Sequence, residues 1–159
     1  MIFKTFEPIL LLIILAGSIA CVDKMSVEET LKRIRSASDV PADLQIIYDD
    51  MHGLWGGTTI VITGKGEGER RERDRGREEP KIFNKSITPE QMLELVNLLI
   101  EHKAWEQRTP DRAPLADESR ASLKIQVGGQ SSSIWEWFND MEKNKRLSII
   151  KAKMKQLTS

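Results

Sequence analysis

The side chains best suited to chemistry are few and lie close together. Asp49, Asp50 and His52 bring two carboxylates and an imidazole within four positions. Such a set can move a proton, activate a water or contribute to a metal site. A zinc site needs three or four ligands, and carboxylates in a loop are more often simply solvated. The chain has two histidines and one cysteine, so no paired-cysteine metal motif can form. Trp55 follows at once in the stretch His52-Gly53-Leu54-Trp55-Gly56-Gly57, and Trp135 and Trp137 stand two apart, on one face of an extended strand. An exposed indole offers a large apolar surface and one N–H donor, suited to stacking on a sugar ring or filling a partner's pocket. The same tryptophans also suit core packing in a small domain with only four Phe and one Tyr. The candidate binding residues are therefore His52, Trp55, Trp135 and Trp137. No residue is assigned a catalytic role, and no metal or cofactor is implied. An envelope hydrolase working through Asp49, Asp50 and His52 is the alternative.

Other chemical signatures fail on spacing. Gly64-Lys65-Gly66-Glu67-Gly68 is glycine-rich and follows an apolar run, but it leads into a charged stretch and not into the helix N-terminus that a phosphate cradle requires. No nucleophile elbow, zincin helix or P-loop pattern occurs. Between Lys65 and Lys81 seven basic side chains alternate with six acidic ones. The whole chain carries 24 basic and 24 acidic residues, for a formal net charge of zero. Nucleic acid demands uncompensated positive charge, so it is not an expected partner. The alternating signs describe a solvated surface.

The elements that must position these residues follow from periodicity. Residues 43–49 alternate with period two, and Thr58–Thr63 is a β-branched run bounded by glycines; both predict strands. Gly64-Lys65-Gly66 predicts a hairpin turn leading to Glu67–Arg73, which lacks any apolar residue and is therefore expected to be a solvated or an edge strand. Lys81–Ile87 is a further extended stretch. Thr88-Pro89-Glu90-Gln91 is a capping box with proline at the first helical position, and Met92, Leu95, Val96 and Leu99 continue as a stripe toward Trp105. Glu106–Arg120, with Pro110 and Pro114 and no period, predicts a long loop of the functional or mobile kind. Ala121–Val127 and Gln130–Phe138 flank Gly128-Gly129 as a hairpin, and Leu147, Ile150, Met154 and Leu157 predict a closing helix that opens near Asn139 or Asp140. The sum is one α+β domain over residues 43–159, an antiparallel sheet of five to six strands with two helices packed on one face. Residues 21–42 are expected to be a tether with one short helix, capped by Ser26 and Glu29.

The N-terminus supplies an address. Lys4 precedes an apolar run from Ile9 to Ala16, and Gly17-Ser18-Ile19-Ala20 places small residues just ahead of Cys21, the plan of an export signal peptide over residues 1–20. The apolar stretch to Val22 spans about 21 Å as a helix at ~1.5 Å per residue, short of a ~30 Å hydrocarbon core. Ser18-Ile19-Ala20-Cys21 resembles the lipobox of bacterial lipoproteins; Ala20 matches, and Ser18 stands where that family most often has Leu. The resemblance implies that Cys21 is lipidated and holds the protein at the cell membrane or outer membrane; cleavage without lipidation would give a soluble secreted or periplasmic protein. The order of elements from Asp43 to Leu157 is similar to small bacterial secreted domains of unknown function, which implies a fold and no chemistry. The expectation is thus a lipid-anchored cell-envelope module, non-catalytic, that binds a protein or a glycan.

Overall fold

The computed structural model describes residues 25–108, 112–113, 115–141 and 145–159. Its elements run α1 (Val27–Ala37), β1 (Gln45–Asp49), β2 (Gly57–Thr63), β3 (Glu67–Arg73), β4 (Lys81–Ser86), α2 (Pro89–Glu101), β5 (Arg120–Val127), β6 (Gln130–Trp137), a single 3₁₀ turn (Phe138–Asp140) and α3 (Lys145–Leu157). The six strands form one antiparallel sheet in the order β4-β3-β2-β1-β5-β6. An α+β architecture is thus the observed class.

Burial alternates strictly along the central strands. Ile46, Tyr48, Ile60, Ile62, Leu123, Ile125 and Ile134 are fully buried and join Leu31, Ile34, Leu95, Leu99, Leu147, Ile150 and Met154 in one core. The opposite strand phase, including Ile47, Val61, Lys124 and Ser133, is half-buried or exposed. Both capping boxes form: Ser26 Oγ accepts from the Glu29 N–H, Thr88 Oγ1 accepts from the Gln91 N–H, and the Glu29 and Gln91 side chains return the bond. The β5–β6 turn places Gly128 and Gly129 at φ +59° and +71°, the left-handed pair that a two-residue hairpin requires.

Three expectations are corrected. The structure has three helices, not two. α1, expected on a tether, buries Val27, Leu31 and Ile34 in the common core, because the three share one helix face and that face packs against α2 and β5. β3 is an interior strand and not an edge, though Glu67 and Arg71 are exposed as in a solvated strand. On its core side Gly68 leaves room for Ile87 and Thr158, whose atoms would lie 2.8 and 2.9 Å from any added Cβ. Beside it the buried Arg70 donates to Ser159 Oγ at 3.0 Å and stacks over Phe83 at 4.3 Å. Finally, α2 ends at Glu101, before Trp105, with Lys103 at φ +46° turning the chain away, and Asn139 and Asp140, expected to open the closing helix, lie in a 3₁₀ turn. Among the described residues no helix is long and apolar enough to cross a membrane. The proposed leader and Cys21 lie outside the described residues.

Candidate functional site

The loop between β1 and β2 is a small closed structure. His52 and Gly56 exchange both backbone hydrogen bonds, at 2.7 and 3.2 Å, and the Asp50 N–H donates to the Thr58 carbonyl at 3.0 Å. Glycine is required at its exit. Gly56 has φ +80°, and a Cβ there would lie 2.0 Å from the Arg73 carbonyl oxygen. The Arg73 guanidinium reaches across from β3 and donates to the carbonyls of His52 and Gly53. His52 Nδ1 accepts from the Leu54 and Trp55 N–H groups at 3.1 and 3.2 Å. That arrangement puts the proton of the neutral ring on Nε2.

The carboxylates beside this loop are already committed. The Asp50 side chain is wholly buried; its Oδ1 accepts from the Thr58 N–H at 2.6 Å, and its Oδ2 accepts from the Tyr48 hydroxyl at 2.8 Å and from Lys151 Nζ. Burial, reinforced by the Asp50 charge, pushes the Tyr48 hydroxyl far above its ordinary range, so it stays a proton donor to Asp50. Asp49 Oδ1 accepts from Thr59 Oγ1 at 2.7 Å and from the Met51 N–H at 3.2 Å.

A second segment faces the loop. Arg112 grips Glu118 with two parallel bonds of 2.6 and 2.7 Å, and its Nε lies 2.9 Å from Asp140. The bidentate contact holds the Glu118 carboxyl down at about 2 and raises the Arg112 guanidinium above its usual value. This clamp ties residues 115–119 to the 3₁₀ turn, with the Phe138 N–H donating to the Ser119 carbonyl at 3.1 Å. Between the two walls lies a cleft of about 550 Å³ whose lining includes His52, Trp55, Asp117, Ser119, Phe138 and Asn139. Trp55 and Phe138 at its margins are 51% and 46% exposed, and Leu54 and Leu115 beside them are also exposed. One face of the Trp55 indole is covered by the Arg75 guanidinium at 3.8 Å.

The candidate binding residues therefore divide. His52 and Trp55 share the cleft. Trp135 and Trp137 form a separate cluster on the outer sheet face, edge to face at 5.0 Å, with the Arg120 guanidinium over both rings at 4.2 and 4.9 Å. Trp137 is buried and its Nε1–H donates to the Arg112 carbonyl at 3.3 Å, so this pair braces the clamp from behind. Asp117 is marked in the sequence only by its place in an aperiodic stretch, Phe138 and Asn139 only as a strand end and a helix start, and Lys151 is one of several lysines on a helix. Among the described residues no three His, Cys, Asp or Glu side chains are grouped to share a metal ion. No protein-family model matches this chain, and no relative is found among curated proteins.

Proposed function

We propose that this chain is a lipid-anchored cell-envelope binding module that receives a protein or glycan segment in the cleft between Trp55 and Phe138. The leader ending at Ala20 would deliver the chain, and lipidated Cys21 would hold it on the membrane. The observation that carries the binding reading is the commitment of the polar groups. Asp50 and Glu118, the two buried carboxylates beside the cleft, are saturated by Lys151, Tyr48, the Thr58 amide and Arg112, whereas the apolar groups at its margin are exposed. A hydrolase built on Asp49, Asp50 and His52 would need a carboxylate free to take a proton, and both Asp50 oxygens and Asp49 Oδ1 accept hydrogen bonds within the fold. Two exposed aromatics with His52, Asp117, Ser119 and Asn139 in the same lining suit adhesion.

A photoreactive side chain at Leu54, on the cleft margin, tests this in the expressing cell. It should form a covalent adduct with an envelope component, an adduct lost when Trp55 or Phe138 is changed to Ala, while the same label at Lys124 on the outer sheet face forms none. Equal labelling from both positions, or an adduct untouched by Trp55→Ala and Phe138→Ala, would remove the cleft from the binding role.

A further inference from the structure

The two edges of the sheet are finished differently. At β6 the Gln107 side-chain amide pairs with one residue of the edge as a strand would: the Trp135 N–H donates to Gln107 Oε1 at 2.7 Å, and Gln107 Nε2 donates to the Trp135 carbonyl at 3.1 Å. At β4 every residue is exposed, and among the described residues nothing pairs with its outer side. The Ile87 N–H donates to the Gly66 carbonyl at 2.8 Å, which fixes the phase of the β3–β4 ladder: positions 81, 83, 85 and 87 bond inward. The N–H and C=O groups of Ile82, Asn84 and Ser86 therefore point outward. Ile82 and Phe83 add an apolar component to this edge, at 55% and 36% exposed. A long, open strand of this kind is a template for another strand.

We propose that β4 pairs antiparallel with β4 of a second copy about a two-fold axis at Asn84, joining two sheets into one. The register follows from the ends. Pro80, which has no N–H, bounds the free stretch on one side and Thr88, the α2 N-cap, on the other, and Asn84 is the midpoint. Centred there, Ile82 bonds with Ser86 of the second copy, Asn84 with its equivalent, and Ser86 with Ile82, so every outward group is used. The same register sets Lys85 across from Phe83 and Lys81 across from Ile87, with no like charges opposed. Shifting the axis to Phe83 would oppose Lys81 and Lys85, which selects the Asn84 register. It also gives a reason for asparagine, a poor strand former, at mid-strand: the two amides meet across the axis.

Cysteine scanning of the full chain in a Cys21→Ala background reads this directly. Cα atoms of a hydrogen-bonded antiparallel pair lie about 5.5 Å apart, within disulfide range. On mild oxidation Asn84→Cys should be captured as a disulfide dimer of doubled mass, Ile82→Cys alone should remain monomeric, and Ile82→Cys with Ser86→Cys should again dimerise. Asn84→Pro, which removes the central donor at an exposed site, should abolish the concentration-dependent dimer seen by sedimentation with the circular dichroism spectrum unchanged. The proposal is overturned if Asn84→Cys stays monomeric, if Ile82→Cys alone crosslinks equally well, or if the unsubstituted chain sediments as a monomer up to millimolar concentration. None of these outcomes bears on the cleft, whose variants lie on other elements.

Discussion

Asp50 illustrates how a residue of catalytic type can be spent on structure. A buried carboxylate is tolerable only when its lone pairs are occupied, and here a hydroxyl, an amide and an ammonium occupy them. Asp50→Ala would leave the Lys151 charge and the Tyr48 hydroxyl without their acceptor. Breaking a buried pair in this way costs about 3–5 kcal/mol. The lower figure applies because the Lys151 side chain is 27% exposed. Urea unfolding of Asp50→Ala checks it, and a loss within the noise would show that the pair is idle. Glu118 carries a pH signature. Its carboxyl falls from 4.5 in the unfolded chain to about 2 when gripped by Arg112, so the clamp's contribution is complete above pH 4.5 and is lost as the pH falls toward 2. The indole N–H resonance of Trp137, which bonds to the Arg112 carbonyl, should hold steady from pH 7 to 5 and move only in that acid window; Glu118→Gln should abolish the movement.

At the scale of elements, much of the layout could be read from local pattern. Thr88-Pro89-Glu90-Gln91 and Ser26-Val27-Glu28-Glu29 declare helix starts through side-chain geometry, and Gly128-Gly129 declares a hairpin through backbone freedom; both signals are local, and all three features form. The failures were long-range. The charged stretch Glu67–Arg73 reads as a solvated or an edge strand because pattern registers side chains, whereas its interior place depends on backbone pairing to β2 and β4 and on the gap left by Gly68. The candidate site was half visible. His52 and Trp55 stand beside glycines in a short loop, but that Phe138 and Asn139 come to face them depends on the Arg112–Glu118–Asp140 clamp, whose members lie up to 28 positions apart. α1 was visible as a helix and not as a core element, since its stripe gives no hint of what it covers. Its docking has a measurable weight. Leu31 is fully buried, and Leu31→Ala should cost about 2–5 kcal/mol in chemical denaturation; a change below half a kilocalorie would return α1 to the role of a tether.

At the scale of the whole molecule, the domain starts almost at once after Cys21. Ser26 already caps a core helix, so a lipid at Cys21 would leave only a handful of residues between bilayer and fold. A chain held that close would have a restricted set of orientations above the lipid. Several acyl chains, at about 0.8 kcal/mol per buried methylene, would make the attachment durable. Accurate mass analysis of the N-terminal peptide from the membrane fraction tests this address most directly. The account predicts a peptide that begins at Cys21 and carries the mass of attached acyl chains. A peptide that retains Met1, or one that begins elsewhere with Cys21 removed or unmodified, would contradict it.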